Sequence, residues 1–427
     1  MKKYYDIGKN LLFPICRSIT GDGTKKTLKI IKSEFPSLKI KKIKSGTNVF
    51  DWKIPHEWNV KDAYVLDKFQ KKIINFKVNN LHLVGYSRPI KKNLNKNQLF
   101  KNIFFLKKQP NAIPYLTSYY KNFWGFCVNY NQKKQIDKKY SNKDLFKVVI
   151  NSNFKKNGYL NYGELVLKGQ SKQEILISTY ICHPSMANNE LSGPIVSMGL
   201  INYFKKKNLK KTLRFLFIPE TIGSIAYLSK NYKTMKENII GGYNLSCIGD
   251  ERKHSCMLSK YKNSASDNAL IDAYKQLKIK KFKIYSFLQR GSDERQYNSP
   301  GIDIPISSIF RSKYGTYKEY HTSLDNFKLV TLKGIRGGFE VAKRSIIILL
   351  KKIIPKNKIL CEPHMSKYNL YPTLSTKIKN TTVQNYMDFL QYTDGKNTLD
   401  NISREIKLNL VDTKKIYKLL KRKKIIE

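Results

Sequence analysis

The chain alternates two patterns of apolar and polar residues from about Glu174 onward. Short, continuous apolar runs predict buried strands, and these runs are EILISTYIC, LRFLFIPE, GGYNLSCIG and IPISSIF. Between them lie amphipathic runs that predict helices, namely GPIVSMGLINYFKKK, GSIAYLSKNYKTMKE and SDNALIDAYKQLK. A long amphipathic run, GFEVAKRSIIILLKKI, follows Asn326. Strands that alternate with helices in this way predict an α/β domain built on a mostly parallel sheet.

Residues 45–170 show a different pattern, in which short β-prone pieces such as NLHLVGYS and FWGFCVNY are separated by turn residues and proline. This region is therefore expected to form an inserted β-rich domain. The segment GDGTKKTLKIIKSEF within residues 1–44 is helix-forming and should pack on the α/β domain. The α/β domain would then comprise residues 1–44 and 171–358.

Residues 372–427 predict a winged helix-turn-helix domain. Three short helical runs are interrupted at TDGKN and KLNLVD, and a strand-like KKIIE follows them. The basic run KLLKRKK could follow a phosphate backbone, but such domains also dock to proteins, so nucleic-acid binding is the less favoured expectation.

Composition adds an unusual charge. The 427 residues include 81 Lys and Arg against 31 Asp and Glu, a formal net charge of +50 at pH 7. The lysines are spread along the whole chain, which predicts solvated faces and nonspecific binding of polyanions at low salt more than one dedicated nucleic-acid surface. No apolar run is long enough to span a membrane and no signal peptide is evident, so a cytoplasmic protein is expected. Six scattered cysteines indicate buried, reduced thiols rather than disulfides.

Candidate chemistry lies where the predicted strands end. His183, Glu220 and Asp250 each follow a different strand, and His321 lies in the loop after the last one. Asp293 lies in the segment RGSDERQYNSPG. Because the carboxyl ends of parallel strands meet at one edge of a sheet, we expect these side chains to converge there.

Two histidines with one or two carboxylates are a donor set that suits a catalytic zinc ion with a bound water. Each residue also has a structural explanation. A single histidine at a strand end is more often a hydrogen-bonded structural group, and Glu220 could simply favour the positive end of the following helix. The ordered set, rather than any one member, is what predicts a metal site.

The motifs STYICHPSMANNELSGP, FIPETIGS, GSDERQYNSPGIDIP and EYHTSLDN, in this order, resemble those of zinc-dependent aminopeptidases related to bacterial leucyl aminopeptidases and glutaminyl cyclases. The chain is more closely similar to bacterial aminopeptidase-like proteins that carry an inserted β domain and a C-terminal winged helix. Those proteins are often associated with surface-polysaccharide biosynthesis. The segments LFPICRSITGDGT, SGTNVFDWKIPHEWNV and TSYYKNFWGFC extend the resemblance over nearly the whole chain.

The resemblance implies roles for several residues. His183 matches the first metal-binding histidine and His321 the last, while Asp293 matches an aspartate that supports the site or positions the substrate. Glu220 falls where the related enzymes have two consecutive glutamates, one the general base and one a ligand. Pro219 occupies the preceding position, so one of the two carboxylates is missing.

Two further departures concern the second metal ion of the related enzymes. Asn189 matches the aspartate that bridges two ions, and Ser246 falls where another aspartate ligand is expected. A neutral amide bridges two dications poorly, so either Glu190 supplies the carboxylate or the site holds one ion. We therefore expect a single zinc ion with His183, Glu190, Glu220 and His321 as candidate ligands; a descendant without any metal stays open.

Three residues are candidates for contacting the substrate. Arg290 could hold a carboxylate, Tyr320 could stabilise a developing oxyanion, and Asn189 could contact the substrate from the former bridging position. Trp52, with other aromatic residues of the inserted domain, could line a sugar or peptide cleft, although a role in that domain's core is favoured.

Three functions follow. The first is a metal-dependent amide hydrolase of aminopeptidase type, with Glu220 and Asp293 as catalytic residues and a peptide or small amide as substrate. The second keeps the fold but acts on an N-acyl or aminoacyl group of a sugar intermediate in surface-polysaccharide biosynthesis. The third is a ligand-binding or regulatory protein without catalysis that uses its winged helix. The sequence leaves the formation of homo-oligomers open.

Overall fold

A computed structural model describes residues 1–371 and 381–427. Its strands are β1 (Lys39–Lys44), β2 (Asn48–Val49), β3 (Trp52–Lys53), β4 (Glu57–Leu66), β5 (Lys72–Asn75), β6 (Ile90–Asn95), β7 (Ile103–Phe104), β8 (Phe126–Cys127), β9 (Leu145–Lys155), β10 (Tyr159–Leu167), β11 (Ser171–Tyr180), β12 (Lys211–Ile218), β13 (Ile239–Leu245), β14 (Ser255–Met257), β15 (Lys283–Tyr285) and β16 (Ile306–Phe310).

The α-helices are α1 (Lys2–Asp6), α2 (Asp22–Glu34), α3 (Lys96–Phe100), α4 (Tyr130–Lys139), α5 (Ser192–Phe204), α6 (Ile222–Asn238), α7 (Ala265–Gln276), α8 (Glu294–Tyr297), α9 (Leu332–Lys351), α10 (Thr381–Gln391), α11 (Leu399–Glu405) and α12 (Leu410–Arg422). The regular structure of the described residues also includes the π-helical turns Ile7–Leu12 and Ala187–Leu191 and the 3₁₀ turns Asn80–His82, Phe287–Gln289 and Met365–Tyr368.

An eight-stranded sheet with the order β1-β10-β12-β11-β13-β16-β14-β15 forms the centre of the molecule. Strand β11 runs parallel to both β12 and β13, and β13 runs parallel to β16. These are the four strands that the apolar runs predict, and the mostly parallel α/β fold is confirmed. The runs are continuously apolar because both faces of the sheet are covered, one by α5, α7 and α9 and the other by α6 and the inserted region.

The inserted region is a β-rich lobe between β1 and β10. Its four-stranded antiparallel sheet has the order β5-β4-β9-β6, with short pairs β2–β3 and β7–β8 beside it. Strand β10 belongs to the central sheet, where it pairs with β1 and β12. The chain therefore returns to the α/β domain at Tyr159, before the boundary expected at residue 170.

The C-terminal region packs three helices, α10, α11 and α12, around a small core of its own. The start expected at residue 372 lies outside the described residues. Packing of this region begins upstream, because Lys356 forms a β-bridge with Asp394 and Asn357 forms one with Ile426. Within the described residues, no helix combines the length and the apolar character that crossing a membrane requires.

Candidate metal centre and its surroundings

The carboxyl ends of the parallel strands deliver the predicted site residues to one edge of the central sheet. His183 lies just after β11, and Glu220 lies just after β12. The π-helical turn Ala187–Leu191 carries Asn189 and Glu190 immediately before α5. His321 enters from the loop between β16 and α9, and its ring centroid lies 5.4 Å from that of His183.

His183 presents its two ring nitrogens to different groups. Its Nδ1 donates to Glu190 Oε2 at 2.8 Å, whereas its Nε2 lies 3.7 Å from Glu220 Oε2. A carboxylate on Nδ1 fixes the tautomer and the ring orientation of a histidine and leaves Nε2 available as a ligand. Glu190 thus lies behind His183, where it orients the ring, rather than beside its ligand nitrogen.

Arg17 lies on the far side of Glu190. Its Nε is 3.5 Å from Glu190 Oε1 and donates to the backbone oxygen of His183 at 3.0 Å. The side chains of Arg17 and Glu190 are both fully buried. Burial alone would lower the pKa of His183, but the hydrogen bond to Glu190 and the charge of that carboxylate raise it.

Cys182, His183 and Glu190 form a group in which one candidate ligand atom of each lies within 4.8 Å of the others. Of the four predicted ligands, His183 and Glu190 belong to this group, whereas Glu220 and His321 lie outside it. We nevertheless assign the tighter group a supporting role, because the Arg17 guanidinium beside it disfavours a cation. Burial also raises the pKa of the Cys182 thiol to about 11, which keeps it protonated.

His321 has the features of an available ligand. Its Nε2 is buried and has no hydrogen-bond partner among the described residues. Burial, and then the nearby His183, lower the pKa of His321 to about 3, so its imidazole is neutral. The backbone of His321 has a φ of 56°, and its ring stacks on Tyr320 with centroids 3.9 Å apart.

Glu220 is held by a strained turn. Its backbone oxygen accepts from the Ile222 amide at 2.8 Å, and Thr221 between them has φ 63° and ψ −79°. This is the rare γ-turn with positive φ, which a β-branched residue seldom adopts. Ser292 Oγ donates to Glu220 Oε1 at 2.6 Å and fixes the carboxylate. Burial raises the pKa of Glu220.

Asp293 stabilises the same turn through hydrogen bonds to Thr221 and Ser224. Its Oδ1 accepts from the Thr221 amide and from Ser224 Oγ, both at 2.8 Å. Its Oδ2 is buried and has no hydrogen-bond partner among the described residues. Burial, and then Glu220, raise the pKa of Asp293 well above its ordinary value. The structure therefore places Asp293 where it supports the backbone that carries Glu220.

The side chains at positions 189, 246 and 250 bear on how many metal ions the site could hold. The side-chain oxygen Oδ1 of Asn189 accepts from the Tyr180 hydroxyl at 3.1 Å. The backbone N–H of Asn189 donates to Asp325 Oδ2 at 2.9 Å. The Asp250 carboxylate already accepts two hydrogen bonds from Ser312, one from the backbone amide and one from the hydroxyl. With a neutral amide at position 189 and the Ser246 hydroxyl after β13, the carboxylates that a second ion needs are absent from these two positions.

The two remaining candidates lie at the periphery. Arg290 is exposed and its guanidinium lies 5.5 Å from the Phe287 ring centroid. It lines an open cavity of about 600 Å³ together with Thr221 and Trp52, beyond the strained turn. Tyr320 is half-buried and reaches the site through its stack on His321.

Several residues of this site were not predicted from the sequence. Arg17, Tyr115 and Asp325 lie in segments that carry the resemblance or border on it, yet nothing in their local pattern assigns them a contact. The Tyr115 ring lies 5.2 Å from His183 and 5.1 Å from His321. Asp325 accepts from the backbone amides of residues 188 and 189 and so anchors the π-helical turn. The position of Arg17 at the end of the apolar run LLFPICR is the one feature of the sequence that could indicate a buried arginine.

The fold is that of an aminopeptidase-like protein. The zinc aminopeptidase BSAP from Bacillus subtilis shares the fold at 11% identity, with a TM-score of 0.60 over 81% of this chain and 92% of that one. The chain itself belongs to the family described as a domain of unknown function (DUF4910), which matches residues 5–352. Residues 353–427 match the winged helix-turn-helix family, which confirms the predicted C-terminal domain.

Two relatives from Clostridium acetobutylicum are similar over nearly the whole chain. A crystal structure of a protein provisionally described as a peptidase is 35% identical, with a TM-score of 0.79, and the match covers 100% of this chain and 96% of that one. A curated relative is 38% identical over 402 residues, which cover 92% of this chain and 88% of its own length. That relative is provisionally described as a polysaccharide biosynthesis protein with an aminopeptidase-like domain.

Proposed function

We propose that this protein is a metal-dependent amide hydrolase of aminopeptidase type with one zinc ion. The observation that carries the proposal is the unpartnered Nε2 of the neutral His321 imidazole, whose ring centroid lies 5.4 Å from that of His183, together with the Glu220 carboxylate 3.7 Å from His183 Nε2. Two imidazoles and a carboxylate are a donor set that zinc accepts in catalytic sites. The aminopeptidase-like fold supports the same assignment.

His183, His321 and Glu220 would hold the ion, and a bound zinc supplies a water of lowered pKa and polarises the amide carbonyl. Glu190 keeps His183 in the tautomer that directs Nε2 to the site. We assign to Glu220 the acceptance of a proton from the attacking water and its delivery to the leaving amine, because its burial raises the pKa and Ser292 fixes its orientation. Asp293 positions Glu220 through the Thr221 amide.

A second candidate is hydrolysis of an N-acyl or aminoacyl group on a sugar intermediate. The description of the curated relative as a polysaccharide biosynthesis protein favours it. Release of acetate from N-acetylated sugars, without cleavage of aminoacyl anilides, would support this candidate over a peptide substrate. We place either reaction in the cytoplasm, because all six cysteines are free thiols.

The first experiment is elemental analysis of the purified, tag-free protein after dialysis against zinc. We expect about one zinc per chain, and a loss of most of it in His183→Ala and in His321→Ala. His364→Ala is the matched control, because His364 is exposed and lies in the C-terminal domain. Wild-type protein that binds no zinc would contradict the hydrolase and leave a ligand-binding or regulatory role, with the winged helix as its contact surface.

Glu220→Gln separates the two roles of this carboxylate. If Glu220 acts chiefly as the proton acceptor, the variant retains zinc and loses hydrolysis of an amide substrate by at least about a hundredfold. If its carboxylate is indispensable as a ligand, zinc is lost as well. Full hydrolysis by Glu220→Gln would overturn its assignment as the base.

A further inference from the structure

The inserted lobe contains a cavity of about 480 Å³, which we call the lobe cavity. Its lining combines three cations, Lys53, Arg88 and Lys121, with the three tyrosines Tyr86, Tyr119 and Tyr120. A cavity of this size holds a small organic molecule or a substantial part of one.

The lobe cavity adjoins the candidate metal centre. A smaller cavity of about 160 Å³, the site cavity, is lined by Cys182 and Glu220 and shares Tyr119 and Tyr120 with the lobe cavity. The Tyr119 hydroxyl lies 3.0 Å from that of Tyr115, whose ring contacts both histidines. A substrate whose amide lies at Glu220 would therefore extend between the two tyrosines into the lobe.

The charge of the lobe cavity has one sign. No aspartate or glutamate lines it, and none of Lys53, Arg88 and Lys121 makes an ion pair with a carboxylate of the described residues. Their charged groups are exposed toward solvent. Uncompensated cations around a concave surface attract an anionic group, and arginine pairs with phosphate or carboxylate through two parallel hydrogen bonds.

Tyr86, Tyr119 and Tyr120 form one side of the lobe cavity, the tyrosine wall, in which Tyr86 and Tyr119 are firmly packed and Tyr120 is exposed. Tyr86 is 1% exposed, its ring stacks on Trp58 with centroids 5.5 Å apart, and its hydroxyl lies 2.6 Å from Thr20 Oγ1. Its backbone has a φ of 64°, which is an outlier for a bulky side chain. Tyr119 packs edge-on against Tyr86 at 5.3 Å. Strain that packing holds in place at a cavity wall is a feature of preformed binding sites.

We propose that the lobe cavity binds an anionic, ring-bearing portion of the amide substrate, with the anion on Arg88 and Lys121 and the ring against the tyrosine wall. This inference rests on the proposed function for the position of the scissile amide. A phosphate and a carboxylate share the required chemistry. The lobe would thereby select substrates by a group remote from the bond that is cleaved.

The test measures binding by calorimetry at low salt with paired probes. N-acetylglucosamine 1-phosphate is compared with N-acetylglucosamine, and the blocked dipeptide N-acetyl-tyrosyl-glutamate with N-acetyltyrosinamide. We expect each anionic probe to bind at least tenfold more tightly than its neutral partner. Preference for the sugar phosphate would identify phosphate as the source of the anion, and preference for the dipeptide would identify carboxylate.

Two variants assign the binding to the lobe cavity. Arg88→Gln/Lys121→Gln should weaken the anionic probes tenfold or more and leave the neutral probes unchanged. Lys91→Gln/Lys92→Gln is the matched control, because it removes the same charge from exposed positions of β6 in the same lobe. Tyr120→Ala should weaken every ring-bearing probe but not inorganic phosphate.

Equal binding of charged and neutral probes, equal losses in both double variants, or binding of no probe would overturn the inference. Zinc content, measured on the same preparations, reports on the proposed function separately. A normal zinc content without binding of any probe would contradict only the proposed ligand site in the lobe cavity. Selective binding of anionic probes without any zinc would remove the hydrolase and retain the lobe cavity as a ligand site.

Discussion

Arg17 is a buried cation that lies beside Glu190, the hydrogen-bond partner of His183. The Arg17 guanidinium is fully buried and lies 3.5 Å from Glu190 Oε1, which has no hydrogen-bond partner among the described residues. Glu190 Oε2 accepts from His183 Nδ1 at 2.8 Å, so Arg17 and His183 together compensate the buried carboxylate. Removing one partner of a buried pair leaves an isolated charge, whereas removing both can cost little.

We therefore expect Arg17→Met to lower the free energy of unfolding by about 3–5 kcal/mol. The double variant Arg17→Met/Glu190→Gln should lose clearly less than the sum of the two single variants, because neither charge is then left alone. Urea unfolding of zinc-free protein measures all three. Losses that add to within about 0.5 kcal/mol would show that the two side chains are not coupled.

For individual residues, the sequence predicts which side chains lie at the site better than it predicts what each one does there. His183 and His321 follow or lie near strand ends, which an apolar run locates well. The geometry of a π-helical turn decides which nitrogen of His183 faces Glu190, and no periodicity in the sequence reports it. For the same reason the assignment of Glu190 as a ligand stays a prediction, while the geometry favours an orienting role.

The γ-turn between β12 and α6 stores strain at Thr221. Positive φ costs a residue with a Cβ roughly 1–3 kcal/mol, a cost that glycine avoids. Arg295 donates to Thr221 Oγ1 at 2.8 Å, so both Thr221→Gly and Thr221→Ala lose that contact and differ only in the Cβ.

We expect Thr221→Gly to be about 1 kcal/mol more stable than Thr221→Ala in urea unfolding, which reverses the order of these residues in a helix. The glycine variant should also show a lower kcat on any amide substrate, because Glu220 is less firmly held. If alanine equals or exceeds glycine in stability, the turn is not strained in solution.

The inserted lobe contains a histidine whose burial predicts a pH dependence. His82 is buried and its Nδ1 donates to the backbone oxygen of Cys127 at 2.7 Å. Burial lowers the pKa of His82 below its ordinary value near 6.5. Since the unfolded chain then binds more protons than the folded one, stability falls as the pH falls through that value.

His82→Gln should flatten this dependence, because glutamine can donate the same hydrogen bond without titrating. The free energy of unfolding at pH 7.5 and pH 5.5 gives the comparison, and wild type should lose more than the variant. His364→Gln, at an exposed position of the C-terminal domain, should behave as wild type. A wild-type loss that persists in His82→Gln would assign the dependence to other groups.

Elements were predicted where burial is uniform and missed where it is not. The four parallel strands have both faces covered, so their apolar runs are unmistakable. Strand β10 joins the same sheet, but the polar Asn161 and Glu164 interrupt its apolar pattern, and Glu164 is held by Arg214 and Lys41. The run KKIIE forms a β-bridge from Ile426 to Asn357 and backbone hydrogen bonds with Lys356 and Lys358, and local pattern does not encode this pairing with the upstream chain.

For the whole molecule, the C-terminal domain is joined to the rest by a polar contact. Lys352 Nζ lies 2.7 Å from Asp400 Oδ2, and Asn401 Nδ2 donates to the Asn263 backbone at 3.3 Å. The core of this domain forms a cluster separate from those of the α/β domain and the lobe. Ile354 is the last residue that packs into the α/β core.

A chain that ends after Pro355 should therefore fold. We expect it to keep the zinc content of the full chain and a single cooperative unfolding transition, followed by circular dichroism. A point substitution at the polar contact, such as Asp400→Asn, disturbs the domain interface less than truncation does. It should leave the zinc content per chain unchanged. Aggregation of the truncated chain, or loss of zinc from it, would show that the C-terminal domain supports the metal centre.

The pairing of β1 with β10 has one more consequence for the molecule. Lys44 and Tyr159 are direct partners in this ladder, and the Ser45 amide donates to the Gly158 oxygen. The lobe therefore leaves and rejoins the central sheet at a single point, as the loop of a hairpin does. The lobe also contacts the site directly, because the Tyr115 amide donates to the His321 oxygen at 2.9 Å and Pro114 forms a β-bridge with Thr322. The lobe of a relative could therefore be spliced between Lys44 and Tyr159 if it keeps the segment that packs on His321. The resulting chimeras would exchange recognition while conserving the reactive core.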